Sequence, residues 1–117
     1  MTSDSYRELE LRFTHDLVDG VRVLAREIGY RAPIFSQMLT SLGGVETTRR
    51  LLHRRDIQYG FELLYRRQPL RRTAEAWMLR HEYVELFSDE EREIARSRLE
   101  AHDFDVDRYL RDPTYQT

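Results

Sequence analysis

Apolar residues recur at helical spacing along most of this chain. Leu9, Phe13, Leu17, Val21, Leu24 and Ile28 follow one another at intervals of four or three, which lays them along one face of a long helix. Leu11, Val18 and Ala25 form a second stripe beside it at seven-residue spacing. The pattern predicts a helix from about Ser5 to Ile28, stopped by Gly29. Gly20 lies inside it and sacrifices about 1 kcal/mol relative to Ala; a closely packed neighbouring helix would explain its presence.

A second helix is expected to open at Pro33, whose missing N–H is harmless in a first turn. Ile34, Phe35, Met38, Leu39 and Leu42 follow at core spacing, and Gly43-Gly44 ends the run. A third short helix is expected over Val45 to His53, with Val45, Thr48, Leu51 and Leu52 inward. Asp56 reads as the N-cap of a fourth, with Ile57, Phe61 and Leu64 on one face, broken at Gln68-Pro69. A fifth starts near Thr73, with Ala74, Trp77, Met78 and His81 in the periodic positions. Tyr83 to Phe87 is apolar enough to pack but shows no helical limits. Ser88-Asp89-Glu90-Glu91 has the spacing of a capping box. It opens a sixth helix through Ile94, Ala95 and Leu99 to about His102.

No stretch alternates with period two. The prediction is an all-α fold: a compact bundle of five to seven short helices after one long N-terminal helix. It is read as a single helical domain over residues 1–102, with a C-terminal tail over 103–117 that carries one short helical turn around Val106 to Leu110.

Composition narrows the class. The 117 residues are 34% charged, yet five Phe, seven Tyr and one Trp provide enough apolar surface for an ordered core. There is no Cys, so disulfides, thiolate metal sites and cysteine nucleophiles are excluded. No apolar run approaches the roughly 18 residues of a membrane span. Met1 to Glu10 lacks the apolar centre of a signal peptide, so a cytoplasmic location is expected.

The net charge of −2 hides a segregation. Residues 1–48 carry −2, residues 49–72 carry +6, and residues 73–117 carry −6. Every basic residue is Arg. The middle segment holds four doublets, Arg49-Arg50, Arg54-Arg55, Arg66-Arg67 and Arg71-Arg72. These eight are the candidate contact residues, for the chain's own acidic 73–117 segment, a protein partner, a nucleic acid or another anion.

Tyr30, Pro33, Phe35 and Met38-Leu39 precede the run Gly43-Gly44-Val45-Glu46-Thr47-Thr48-Arg49-Arg50-Leu51-Leu52. Gly60-Phe61, Leu64, Thr73 with Glu75, Tyr83, Leu86-Phe87, Glu91, Ala95-Arg96 and Arg98-Leu99 come after it. In this order and spacing, residues 30–99 resemble a recurrent small helical bacterial module. The resemblance implies a compact helical fold and a bacterial setting. It brings no established activity, and so no catalytic residue.

Other chemistry finds little footing. His15, His53, His81 and His102 are too far apart for a local metal motif. Asp103, Asp105 and Asp107 open like a calcium loop, but Arg108 and Thr114 stand where that loop needs Gly and Glu. No serine has a nucleophile-elbow context. Glu46 and Glu75 read as inward-facing carboxylates paired with Arg50 or Arg72. No catalytic, metal or cofactor residue is therefore expected.

Two functions remain open. One is a non-enzymatic accessory module that docks a protein partner through Arg and exposed tyrosines such as Tyr59, Tyr65, Tyr109 and Tyr115. The other is a nucleic-acid-binding accessory that uses residues 49–72, two short helices in helix-turn-helix outline, with Arg on phosphates. No membrane partner is expected.

Overall fold

The computed structural model describes residues 3–29, 31–53 and 70–116, and every regular element among them is helical. The first three are α1 (Ser3–Ile28), α2 (Pro33–Leu42) and α3 (Gly44–Leu52). A 3-10 turn at Leu70–Arg72 leads into α4 (Ala74–Met78), and another at His81–Leu86 into α5 (Asp89–Ala101). Last come α6 (Val106–Arg111) and a 3-10 turn at Pro113–Gln116. The helix expected after Asp56 lies outside the described residues. Among those described, the architecture is the predicted one: a long first helix followed by short ones. By its internal contacts the chain divides into two units, Met1–Arg50 and Leu51–Thr117, with the boundary inside α3.

In the first unit α1 packs on α2. Phe13, Leu17 and Leu24 are buried, as the main stripe requires. Leu11 is 64% exposed. The reason is angular: at about 100° per residue, Leu11 lies some 200° around the helix from Phe13. The second apolar stripe of α1 thus reaches the outside of the helix at Leu11. A similar correction applies to α2, where Leu39 is buried but Ile34 is 71% exposed. Ile34, Met38 and Leu42 stand four apart, one stripe rotated away from Leu39.

The sharp turn between α2 and α3 follows from its two glycines. Gly43 caps α2 at φ +83°, in the left-handed region, and its N–H donates to Leu39 O at 3.0 Å. Gly44 opens α3 against α1. Its N–H donates to Thr14 Oγ1 at 2.8 Å, and that hydroxyl donates in turn to Glu10 O at 2.9 Å. A Cβ at Gly44 would lie 3.0 Å from Thr14 Cα and 3.0 Å from Phe13 Cδ2. Backbone cannot yield as a side-chain tip can. Gly44→Ala is therefore expected to lower stability by about 1–3 kcal/mol, read as an earlier urea midpoint at unchanged slope. An unshifted midpoint would show that the turn has slack.

In the second unit each short helix has a defined start. Thr73 caps α4: its hydroxyl accepts from Ala76 N–H at 3.2 Å and donates to Leu70 O at 2.7 Å. Helix α4 ends after Met78, so His81 falls in the next 3-10 turn and is exposed, not on the apolar face expected for it. The predicted capping box forms, with Glu91 N–H on Ser88 Oγ at 3.1 Å and Ser88 N–H on the Glu91 carboxylate at 2.9 Å. Arg92 donates to Val84 O and Phe87 O, tying the 3-10 turn to the start of α5. Helix α5 buries Ala95 and Leu99, and it packs on α4.

Helix α5 closes in a Schellman pattern. Asp103 takes φ +62°, its N–H donates to Glu100 O, and Phe104 N–H reaches back to Leu99 O at 3.1 Å. Asp105 then caps α6 by accepting from Arg108 N–H at 3.0 Å. Residues 103–116, expected as a tail with one helical turn, thus carry two helical elements and bury Phe104, Val106 and Tyr109.

Candidate functional site

Four of the eight candidate arginines, Arg49, Arg50, Arg71 and Arg72, lie among the described residues. Arg54, Arg55, Arg66 and Arg67 lie outside those residues. Arg71 and Arg72 are half-buried in the 3-10 turn before α4. Arg49 is half-buried on α3, while Arg50 is exposed and its Nε donates to the Glu46 carboxylate at 3.0 Å. That i, i+4 pair is the one the sequence predicts for Glu46, but Glu46 is exposed on α3 and not inward-facing. At about 50% side-chain exposure on both partners it adds little stability.

The first unit holds an open cleft of about 360 Å³ between α1 and the α2–α3 turn. Its α1 wall presents Arg7, Glu10, Leu11 and Thr14, and its far side presents Leu42, Gly43, Gly44, Val45, Glu46 and Arg49. The glycines let the turn approach α1, and Thr14 fixes that approach through its two hydrogen bonds. The result is a shallow trough with two exposed leucines, Leu11 and Leu42, between walls that each carry one Arg and one Glu. Arg7 and the Glu10 carboxylate make no ion pair or side-chain hydrogen bond among the described residues, although they stand one turn apart on α1. Of these residues the sequence singled out Arg49 and Glu46. Leu11 was the available signal, an apolar residue on the far side of α1 from Phe13, but periodicity alone placed it in a second stripe beside the main one.

A different cluster organises the second unit. The Arg98 side chain is 17% exposed and the Glu75 side chain 7%. Arg98 Nη1 donates to Glu75 Oε2 at 3.3 Å and to Leu51 O at 3.0 Å, and Nη2 donates to Leu52 O at 2.7 Å. One guanidinium therefore neutralises a buried carboxylate and satisfies two carbonyls at the C-terminal end of α3, where cations are favoured. Burial pushes the Glu75 carboxyl above the ordinary glutamate range, while hydrogen bonding to its own backbone and the Arg98 charge pull the other way. The sequence marked Glu75 as an ion-pair carboxylate but missed Arg98, twenty-three residues away. Its place beside Ala95 and Leu99 on α5 was the only clue.

Near the C-terminus Arg80 lies over the Trp77 ring at 3.7 Å, and its Nε donates to Tyr109 Oη at 2.8 Å. Burial raises the Tyr109 phenol above its ordinary range, opposed by Arg80. Phe104 packs against both Tyr109 and Tyr115, and Arg108 covers the Tyr115 ring. Tyr109, expected as an exposed contact residue, is fully buried and belongs to the core. No group of three or more His, Asp or Glu among the described residues is placed to hold a metal ion, and no helix among them is long and apolar enough to cross a membrane.

Compared with known proteins, the chain matches no family model, no curated protein and no solved structure. Its functional reading therefore rests on the geometry above.

Proposed function

We propose that this chain is a non-enzymatic interaction module that docks a protein partner through the cleft of its first unit. The observation that carries the reading is Leu11, 64% exposed on α1, in one trough with the exposed Leu42. A leucine in that position lowers the free energy of the free chain in no evident way, but it gains when a partner excludes water from it. The charged walls add the polar rim that protein interfaces have around an apolar centre. The nucleic-acid reading draws on residues 49–72, where Glu46 already engages Arg50. Nothing among the described residues favours it over docking.

The test places a photo-crosslinking residue at position 11, 42 or 93 of the full chain in cells. Position 93, an exposed glutamate on α5, is the control. Adducts of protein mass are expected at 11 and 42 in large excess over 93. Equal yields at all three positions, no adduct, or adducts of nucleic acid would overturn the reading.

A further inference from the structure

We propose that the occupant of this cleft is a second copy of the same chain, docked about a two-fold axis. The inference rests on the cleft being a docking surface and adds the identity of what fills it. A surface that meets its own copy across a two-fold must be complementary to itself. The α1 wall meets that condition. Arg7 and Glu10 stand one turn apart, opposite in sign, and neither is paired among the described residues. When two such helices run antiparallel, each Arg7 faces the other copy's glutamate and each Glu10 faces the other copy's arginine.

The far wall also carries one residue of each sign, Glu46 and Arg49, with Glu46 already held by Arg50, so the self-complementary pair is the one on α1. The α1 wall is neutral in sum, so two α1 faces approach without net repulsion between them. A partner of one strong sign would find half of these charges opposed to it. Leu11 and Leu42 supply the apolar surface that the pairing buries. Stable interfaces cover about 800 Å² on each partner. A trough this small supplies only part of that, so the dimer is weak and its population follows concentration.

Sedimentation equilibrium of the purified full chain, from micromolar to near-millimolar protein, tests the proposal. The expected result is a reversible monomer–dimer equilibrium that weakens with added salt. Leu11→Glu abolishes the dimer. Arg7→Glu weakens it about tenfold by setting like charges face to face. The double exchange Arg7→Glu with Glu10→Arg restores it, because the reversed order is again complementary to itself. All these positions line an open cleft, and circular dichroism confirms that each variant keeps its helix content. A monomer at every concentration overturns self-docking. So does a dimer indifferent to Leu11→Glu, or one that the double exchange fails to restore. The docking reading fails separately, on the crosslinks: a monomeric chain that still crosslinks a different protein at position 11 loses the second copy and keeps the surface.

Discussion

Replacing Arg98 with methionine is expected to destabilise the protein by about 3–5 kcal/mol at neutral pH. The substitution keeps an unbranched apolar stem and removes the guanidinium. Glu75 then stays buried without the cation that pairs with it, and Leu51 O and Leu52 O lose the donors that Arg98 supplies. An unpaired buried carboxylate is among the costliest defects a core can hold, and two orphaned carbonyls add to it. Adding Glu75→Gln to Arg98→Met should recover part of the loss, because a neutral amide suffers less from burial than a carboxylate. Urea denaturation of the single and double variants measures both effects. A single variant within about 0.5 kcal/mol of the parent, the range of an ordinary surface change, would show that water reaches the pair.

The same site has a signed pH dependence. The Glu75 carboxyl is raised above its ordinary value of 4.5 in the folded chain. Between 4.5 and that raised value the folded state holds more protons than the unfolded one, so stability from this group falls as pH rises through the window. Without Arg98 the carboxyl rises further. The deficit of the Arg98→Met variant should therefore shrink on acidification and widen toward neutrality. A deficit that is flat across that window would remove Glu75 from the account.

Tyr109→Ala is the second large effect, about 3–5 kcal/mol, the range for truncating a buried aromatic ring. Tyr109 is fully buried, stacks at a tilt on Phe104 with centroids 5.4 Å apart, and accepts from Arg80 at 2.8 Å. Its backbone carbonyl also accepts from Gln116 Nε2 at 2.8 Å, so it organises the last 3-10 turn as well. Tyr109→Phe keeps the ring and removes one hydrogen bond to a partly exposed arginine, for about 0.5–1.5 kcal/mol. Thermal unfolding ranks the two variants. Limited proteolysis should cut the alanine variant near residues 103–105 well before the parent. Equal resistance would mean that α6 is held by other contacts.

Much of the fold was legible because its signals are local. Pro33 at a helix start, Gly43 at a helix end, Thr73 and Ser88 as caps, and the Phe13-Leu17-Leu24 stripe each act within one or two turns of chain. What stayed hidden depends on distant partners. Leu11 and Ile34 have the spacing of core residues, and only the position of neighbouring elements decides which apolar side of a helix meets them. Glu75 announced a buried charge but not its partner, since no local spacing links residues 75 and 98. Residues 103–116 looked like a tail because α6 is a six-residue helix, too short to declare itself by periodicity. The cleft was half legible, through its glycine turn, Glu46 and Arg49, and half not, because Arg7 and Glu10 look like any solvated face until they prove to be unpaired among the described residues.

The indole under Arg80 has a practical corollary. Trp77 is the chain's single tryptophan and lies in the second unit, where its Nε1 is buried without a hydrogen-bond partner among the described residues. Its fluorescence therefore reports from that half, while far-ultraviolet ellipticity draws heavily on the 26 residues of α1 in the other half. Melting curves from the two signals superimpose when the halves unfold as one cooperative body and separate when they do not. The chain thus carries its own reporter of cooperativity, with no label attached.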